Sequence, residues 1–420
     1  MRFFTLLSVL FISVASLAQK PKFQGQAPSP VVPTDSRPTI KQWKGTWELD
    51  SGQVFFSNEF DGARLNGVTQ SGEDLFTILI SAENIPINPS PWYAFKVWSK
   101  SPRTITIHFT YENSRSRYYP KISTNGRDWQ PLDTARYEPI NMGEGAFGMG
   151  AQPESIRITL DVFDEPVWIA AQELANSSHV KGWTDGICLH EDVSQATLGY
   201  SKEGREMKVV TIGKGKTEKE SLMIISRQHP PEVTGYLAMQ SFVETLLGDD
   251  KLAKKFRKKY NTYVVPLMNP DGVDHGHWRH NVGGIDLNRD WQNFNQPETT
   301  NVKNFLKEKS DEGAEFVFGI DFHSTWDDIY YTVDSSFTEN KGGIMYEWLR
   351  ELGKDLPDYE PNIRPSQRME PTMVSRNYFF MAYDMAALVF ELGDNTDRAF
   401  LKKKGQVAAE NLMELLLEEK

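Results

Sequence analysis

An α/β domain preceded by an antiparallel β-sandwich is the fold class this sequence predicts, and three observations carry the prediction. In the N-terminal half, apolar residues alternate strictly with polar ones. From about Ala175 the texture changes to short apolar runs separated by helical stretches. Polar residues able to do chemistry fall just behind those runs.

The alternation is clearest in "TITIHFTYE", where Ile105, Ile107, Phe109 and Tyr111 interleave with Thr104, Thr106, His108 and Thr110, and in "IRITLDV", with Ile156, Ile158, Leu160 and Val162. Period two with one apolar face marks half-buried antiparallel strands, and several at regular spacing predict a sandwich. His108 falls on the polar face and is expected to be solvated there. In the second half, "MKVVTIG", "SLMIIS", "TYVVPLM", "EFVFGIDF" and "AALVFELG" have the length of strands buried on both faces. Helical stretches lie between them, among them residues 236–247, and residues 400–419 close the chain. This predicts a mixed, mostly parallel sheet with helices on both faces. In such sheets chemistry sits beyond the carboxyl ends of the strands.

The chain has 420 residues, more than one hydrophobic core usually serves, so two domains are expected. Residues 1–18 read as a signal peptide: Arg2, an apolar run over 3–15, then small residues at Ser16 and Ala18. Residues 19–45, rich in Pro, Gln and Ser, are expected to be a flexible linker. The β-sandwich is assigned to 46–174 and the catalytic domain to 175–420. A net charge of −11 argues against a nucleic-acid partner, and no later stretch is apolar enough for stable membrane insertion. Cys188 is the single cysteine, so no internal disulfide can form, which for an exported chain points to a bacterial periplasm or medium. It is expected to be a small buried residue.

The strand ends supply a constellation. Catalytic zinc takes three protein ligands from imidazoles and carboxylates and leaves one position open. His229 and Glu232, in "RQHPPE", and His323, in "GIDFHS", make that set. Pro230 and Pro231 forbid a helix between the first two and hold a shaped turn. "DLNRDW" sets Asn288 beside Arg289, a pair suited to grip a carboxylate, and Arg279 adds a second cation. Glu391 ends the apolar strand Ala386 to Phe390, where burial raises its pKa toward that of a general base. The tract "HGHWRH" is expected to be solvated, so His275, His277 and His280 are assigned no metal.

The order H-x-x-E, N-P-D-G, an Arg followed by D-L-N-R, a strand-end His-Ser and a final F-E resembles the funnelin-type zinc metallocarboxypeptidases. "INPSPWYAFKVWS" and "YYPKISTNGRDWQPL" resemble the β-sandwich that precedes the catalytic domain in the cytosolic-carboxypeptidase-like branch, whose members trim C-terminal glutamates. The similarity runs from about Trp47 onward. It implies a zinc carboxypeptidase-like fold with one zinc ion on His229, Glu232 and His323. It implies Arg279 as the group that polarises the scissile carbonyl, Asn288 and Arg289 as the clamp for the terminal carboxylate, and Glu391 as general base and acid. Fifteen positions before that glutamate such enzymes place a pocket residue; here it is Arg376, which implies a preference for Glu or Asp at the substrate's C-terminus. The mobile-loop tyrosine of pancreatic-type members would fall near Met369. Tyr378 and Tyr383 are out of register, so no catalytic tyrosine is assigned.

The expected function is therefore zinc-dependent hydrolysis of the last peptide bond of peptides or proteins, in an exported enzyme. Two alternatives stand beside it. One is a carboxypeptidase or amidase of cell-wall peptides, for which the same clamp would serve. The other is a catalytically silent binding protein on the same fold.

Overall fold

Alternation in the N-terminal half becomes two facing sheets. The computed structural model describes residues 23–25, 30–145, 150–213, 219–337, 340–366 and 373–418, so the expected signal peptide lies outside the described residues. One sheet runs in the order β1 (Thr46–Leu49), β2 (Val54–Ser57), β5 (Ala94–Ser99), β11 (Val167–Ala170), β7 (Lys121–Ser123) and β8 (Gln130–Pro131). The other runs β3 (Gly67–Gly72), β4 (Leu75–Ile80), β6 (Arg103–Tyr111), β10 (Ala151–Val162) and β9 (Tyr137–Glu144). Ile107 pairs with Ile158 and Ile105 with Leu160 across β6 and β10, so the alternating apolar faces coincide. Ring contacts such as Phe56–Phe76 and Phe95–Phe109, with centroids 5.5 and 5.8 Å apart, tie one sheet to the other.

Two details differ from expectation. β4 and β6 pair in parallel, because the chain crosses to the other sheet through β5 before returning. His108 is half-buried and bonded to Ser155 Oγ on the neighbouring strand, 3.0 Å away, and not simply solvated.

The second half forms an eight-stranded sheet in the order β12 (Val193–Tyr200), β13 (Glu206–Ile212), β15 (Asn261–Val265), β14 (Glu220–Ser226), β16 (Glu315–Thr325), β19 (Ala386–Gly393), β17 (Ile329–Val333) and β18 (Ile363–Ser366). Its centre is parallel: β14 with β15, β14 with β16, and β16 with β19. Both faces are covered, and β14 shows how. Leu222 and Ile224 enter one core with α2 (Val233–Leu246) and α8 (Arg398–Glu418), whereas Met223 and Ile225 enter a second core with Phe379 of α7 (Ser375–Tyr383). Adjacent strand residues point to opposite faces, so a strand covered on both sides reads as an unbroken apolar run.

The two halves are locked together by polar contacts. Arg117 of the first half pairs with Asp394 at 2.7 Å, with both side chains buried. The stretch expected to be a flexible linker is bonded to the second half at several of its described residues. Phe23 O accepts from Asn362 at 2.8 Å, Thr34 O from Gln296 at 2.6 Å, and Arg37 N donates to Gly283 O at 2.8 Å. Cys188, expected to be buried, is only half-buried, because it caps the C-terminal end of α1 (Ser177–Ile187). Among the described residues, no helix is long and apolar enough to cross a membrane.

Candidate metal centre

The turn after β14 begins with Arg227, whose backbone lies in the left-handed region at φ 57°. Its buried guanidinium donates to Pro230 O at 2.7 Å and to Ala175 O at 3.0 Å, so the Pro230–Pro231 turn is braced by a side chain as well as by its rings. The turn delivers His229 and leaves Glu232 as the residue from which α2 starts. Asn269 holds this turn from the next strand: its Nδ2 donates to Gln228 O at 3.1 Å while its Oδ1 caps α4 (Pro270–Asp274) at Gly272 N, 2.9 Å. His323 comes from the end of β16. A Cβ on Gly235 would come within 2.4 Å of His323 O, so only glycine lets α2 lie this close to the strand.

Ligand atoms of His229, Glu232 and His323 all lie within 4.8 Å of one another, and all three residues are buried. The inner contacts are His229 Nδ1 to Glu232 Oε1 at 2.7 Å, His323 Nδ1 to Glu232 Oε2 at 2.6 Å, and Nδ1 to Nδ1 at 3.2 Å. The outer nitrogens are also held by carboxylates. His229 Nε2 meets Asp286 Oδ1 at 2.8 Å, and His323 Nε2 meets Asp321 Oδ2 at 2.8 Å. Outer carboxylates of this kind fix a ring so that the inner nitrogen presents its lone pair. Two such lone pairs beside a carboxylate repel one another unless a cation joins them, so the donor set fits a divalent metal with nitrogen and oxygen ligands.

Asp286 also accepts from Arg279 Nε at 2.7 Å, which couples the arginine to the outer shell of His229. Burial pushes the Asp286 carboxyl up, but Arg279, His229 and Arg289 outweigh it and hold it well below the usual carboxylate range. Asn288 lies in the short 3-10 turn Leu287–Arg289, with Nδ2 3.5 Å from His323 Nε2 and Oδ1 accepting Ser375 N at 2.9 Å. Arg289 is partly exposed beside it, its Nη1 bonded to Asn288 O at 2.6 Å. Arg279, Asp286 and Arg289 line one cavity together with Val31, Val32 and Ile87.

Glu391 faces this centre from β19. Its Oε2 is buried without a hydrogen-bond partner among the described residues. Burial and the Glu232 charge push the carboxyl up, the two histidines and Arg279 pull it down, and the balance is about 7. Arg376, in the first turn of α7, is buried; its guanidinium donates to Thr332 O at 3.0 Å and to Asn377 Oδ1 at 3.1 Å. Burial is the main cause that lowers its pKa, to about 10.

The "HGHWRH" tract overturns its expectation. His275 is partly exposed and paired with Glu203 at 2.7 Å, but His277 and His280 are buried. Burial, partly offset by Glu83, lowers both to about 4. They are enclosed because the first half of the chain packs on this loop. Met369 lies outside the described residues. Tyr378 packs on Trp291 and on Tyr383 with centroids 5.7 and 6.0 Å apart, which suits a core role for the pair.

The reading of the sequence passed over Asp286, Asp321 and Gln228. Asp321 could have been found: it sits two residues before His323 in a strand, hence on the same face. Asp286 stands two residues before Asn288, and nothing in that spacing points to His229. Gln228 Nε2 donates to Asp321 at 2.5 Å and its Oε1 accepts Trp291 Nε1 at 2.9 Å, a support that only the fold brings together.

An α/β domain with a buried His-Glu-His triad at its strand ends defines a metallohydrolase class, and comparison with known proteins narrows it. Residues 189–378 match the zinc carboxypeptidase family of peptidases. The matched segment is thus a zinc carboxypeptidase domain; Glu391 lies beyond it. It is 26% identical over 82% of its length to an uncharacterized protein of Zymomonas mobilis, covering 89% of that protein. It is 32% identical over 33% of its length to cytosolic carboxypeptidase 6 of Caenorhabditis elegans, and spans only 32% of that relative. The fold is similar to a metallo-carboxypeptidase from Burkholderia cenocepacia, with TM-score 0.67 and 20% identity, covering 87% of this chain and 98% of that one. A metallo-carboxypeptidase from Pseudomonas aeruginosa gives the same TM-score at 21% identity, with 86% and 99% covered.

Proposed function

We propose that this protein is a zinc-dependent exopeptidase that removes the last residue of peptide chains, with a preference for Glu or Asp. The observation that carries the reading is the pair of inward-facing imidazole nitrogens, each backed by a carboxylate, opposite a glutamate with an unpartnered oxygen. His229, Glu232 and His323 would hold the ion. When bound, zinc supplies a Lewis acid that polarises a carbonyl and makes water acidic near neutral pH. Glu391 accepts the proton from the attacking water at its buried carboxylate and returns it to the leaving amine. Arg279, already oriented by Asp286, donates to the oxygen on which charge develops. Asn288 and Arg289 hold the terminal carboxylate.

The acidic preference rests on Arg376. A buried cation in the first turn of a helix opposes the helix dipole, so its position is costly unless a ligand's negative charge completes it. Among the described residues no carboxylate pairs with it, and Tyr331 and Arg289 lie near enough to be felt. An exported location remains part of the proposal, supported by the N-terminal residues 1–18.

The experiment is digestion of peptides differing only in the last residue, with and without a chelator, read by mass spectrometry. Chelator-sensitive loss of terminal Glu or Asp over Leu or Lys is the expected result. Faster loss of Leu would discard the role of Arg376, and no cleavage of any peptide would discard the exopeptidase reading.

A further inference from the structure

The loop that carries Arg279 runs without regular structure from α4 to the turn at Leu287–Arg289. Three successive backbone N–H groups in it converge on one carboxylate from the β-sandwich half. Trp278 N meets Glu83 Oε2 at 2.7 Å, and Arg279 N and His280 N meet Oε1 at 3.0 and 2.7 Å. Successive amides aimed at one point form an anion-binding concavity, and here the anion is a side chain more than 190 residues away, 195 by the Trp278 contact. Glu83 is fully buried. Burial alone would keep it protonated, but His277, His280, Arg64 and the loop amides bring it down to about 2, so it is charged at any working pH. Its neighbour Asn84 bonds the His280 side chain and donates to Gly284 O at 3.1 Å, so residues 83 and 84 grip the loop at two points.

We infer that Glu83 is a positioning residue for Arg279, and that the β-sandwich contributes to catalysis by fixing the loop on which this arginine stands. The inference rests on the proposed role of Arg279. The path is short: Glu83 fixes the Arg279 backbone, and the Arg279 side chain bonds Asp286, which holds His229. A contact that served only to glue the two halves would need no particular residue of the loop. This one seizes the amide of Arg279 and those of both its neighbours.

Glu83→Gln tests it, because the amide sets an N–H against N–H groups that the carboxylate accepted. On the most readily cleaved peptide, kcat is expected to fall about 10- to 100-fold, the scale of a misplaced catalytic group, while KM and bound zinc stay unchanged. Amide hydrogen exchange at 278–280 should quicken, and the loss should not add to that of Arg279→Ala. A lower melting temperature with unchanged kcat would overturn the inference and leave Glu83 a structural contact. If Glu83→Gln fails to fold, Asn84→Ala, which releases His280 and Gly284, should still lower kcat several-fold; unchanged kcat there overturns the inference. Arg279→Ala separates the two claims. Full activity in that variant would bring down the proposed role of Arg279 itself. Collapse there beside an unaffected Glu83→Gln would bring down only the role of Glu83.

Discussion

Glu391 stands directly across the β16–β19 ladder from His323. Parallel register sets the two strand ends level, so one strand supplies an inward imidazole and the next a carboxylate beside it. The buried Oε2 of Glu391 has no partner among the described residues, and burial is the first cause of its raised pKa of about 7. Glutamine would keep the shape and remove the base. Glu391→Gln is therefore expected to lower kcat by about 10² to 10⁴. Zinc content should be unchanged, since Glu391 is not among the three clustered residues. Metal analysis beside progress curves checks both statements, and activity within tenfold of the parent would remove Glu391 from the mechanism.

Asp286 bonds both a metal-side histidine and Arg279, besides accepting from Asn288 N at 2.9 Å. Oδ1 of Asp286 meets His229 and Oδ2 meets Arg279, whereas Asp321 Oδ2 is shared by His323, Gln228 and Ser375. Both Asp286→Asn and Asp321→Asn should weaken zinc binding by about 10- to 100-fold, as loss of an outer-shell carboxylate does. Only Asp286→Asn should also lower kcat at saturating zinc, because only there does Arg279 lose its anchor. Zinc affinity by competition with a chromophoric chelator, followed by kcat in excess zinc, separates the two. Equal kcat losses would contradict the division.

Much of this site could be read in the sequence because the central strands are buried on both faces. β14, β16 and β19 stand out as apolar runs, and the residues just after them are forced to one edge of the sheet. His229, Glu232, His323 and Glu391 were found that way. The edge strands β12 and β18 were not, since a strand half open to solvent carries no unbroken run. Contacts set by packing of the two halves were also illegible. The glycine-containing tract predicts solvated His277 and His280, and only packing against distant residues such as Glu83 and Asn84 explains their burial. The contacts of residues 30–45 have the same cause: composition predicts intrinsic flexibility, not the partners that the fold supplies.

The Arg117–Asp394 pair should dominate the coupling between the two halves. Its side chains are 2% and 1% exposed, and burial keeps the Asp394 carboxyl raised even with the arginine at 2.7 Å. Arg117→Ala leaves a buried carboxyl without its cation, and removing one partner of such a pair costs about 3 to 5 kcal/mol. Arg117→Met with Asp394→Asn should recover most of that loss. Urea unfolding of both variants provides the check, and a single-variant loss below about 1 kcal/mol, the range of surface pairs, would mean that water reaches the pair.

Glu298 predicts how stability depends on pH. It begins α5 (Pro297–Asp311) fully buried, accepting from Asn281 Nδ2 at 3.0 Å and Lys202 N at 3.2 Å. Burial outweighs these bonds and raises its pKa from 4.5 to about 7. Between those values the folded protein holds a proton that the unfolded chain has released, so stability falls as pH rises from 4.5 to 7 and is level beyond. The penalty is absent below pH 4.5 and complete above 7, at most about 3 kcal/mol for a shift of this size. Glu298→Gln removes the titration while keeping the side-chain length. Relative to the parent, the variant should gain stability as pH is raised from 4.5 to 8, read as a widening difference between urea midpoints. A constant difference across that range would mean that Glu298 ionises in the folded protein as readily as in the unfolded chain.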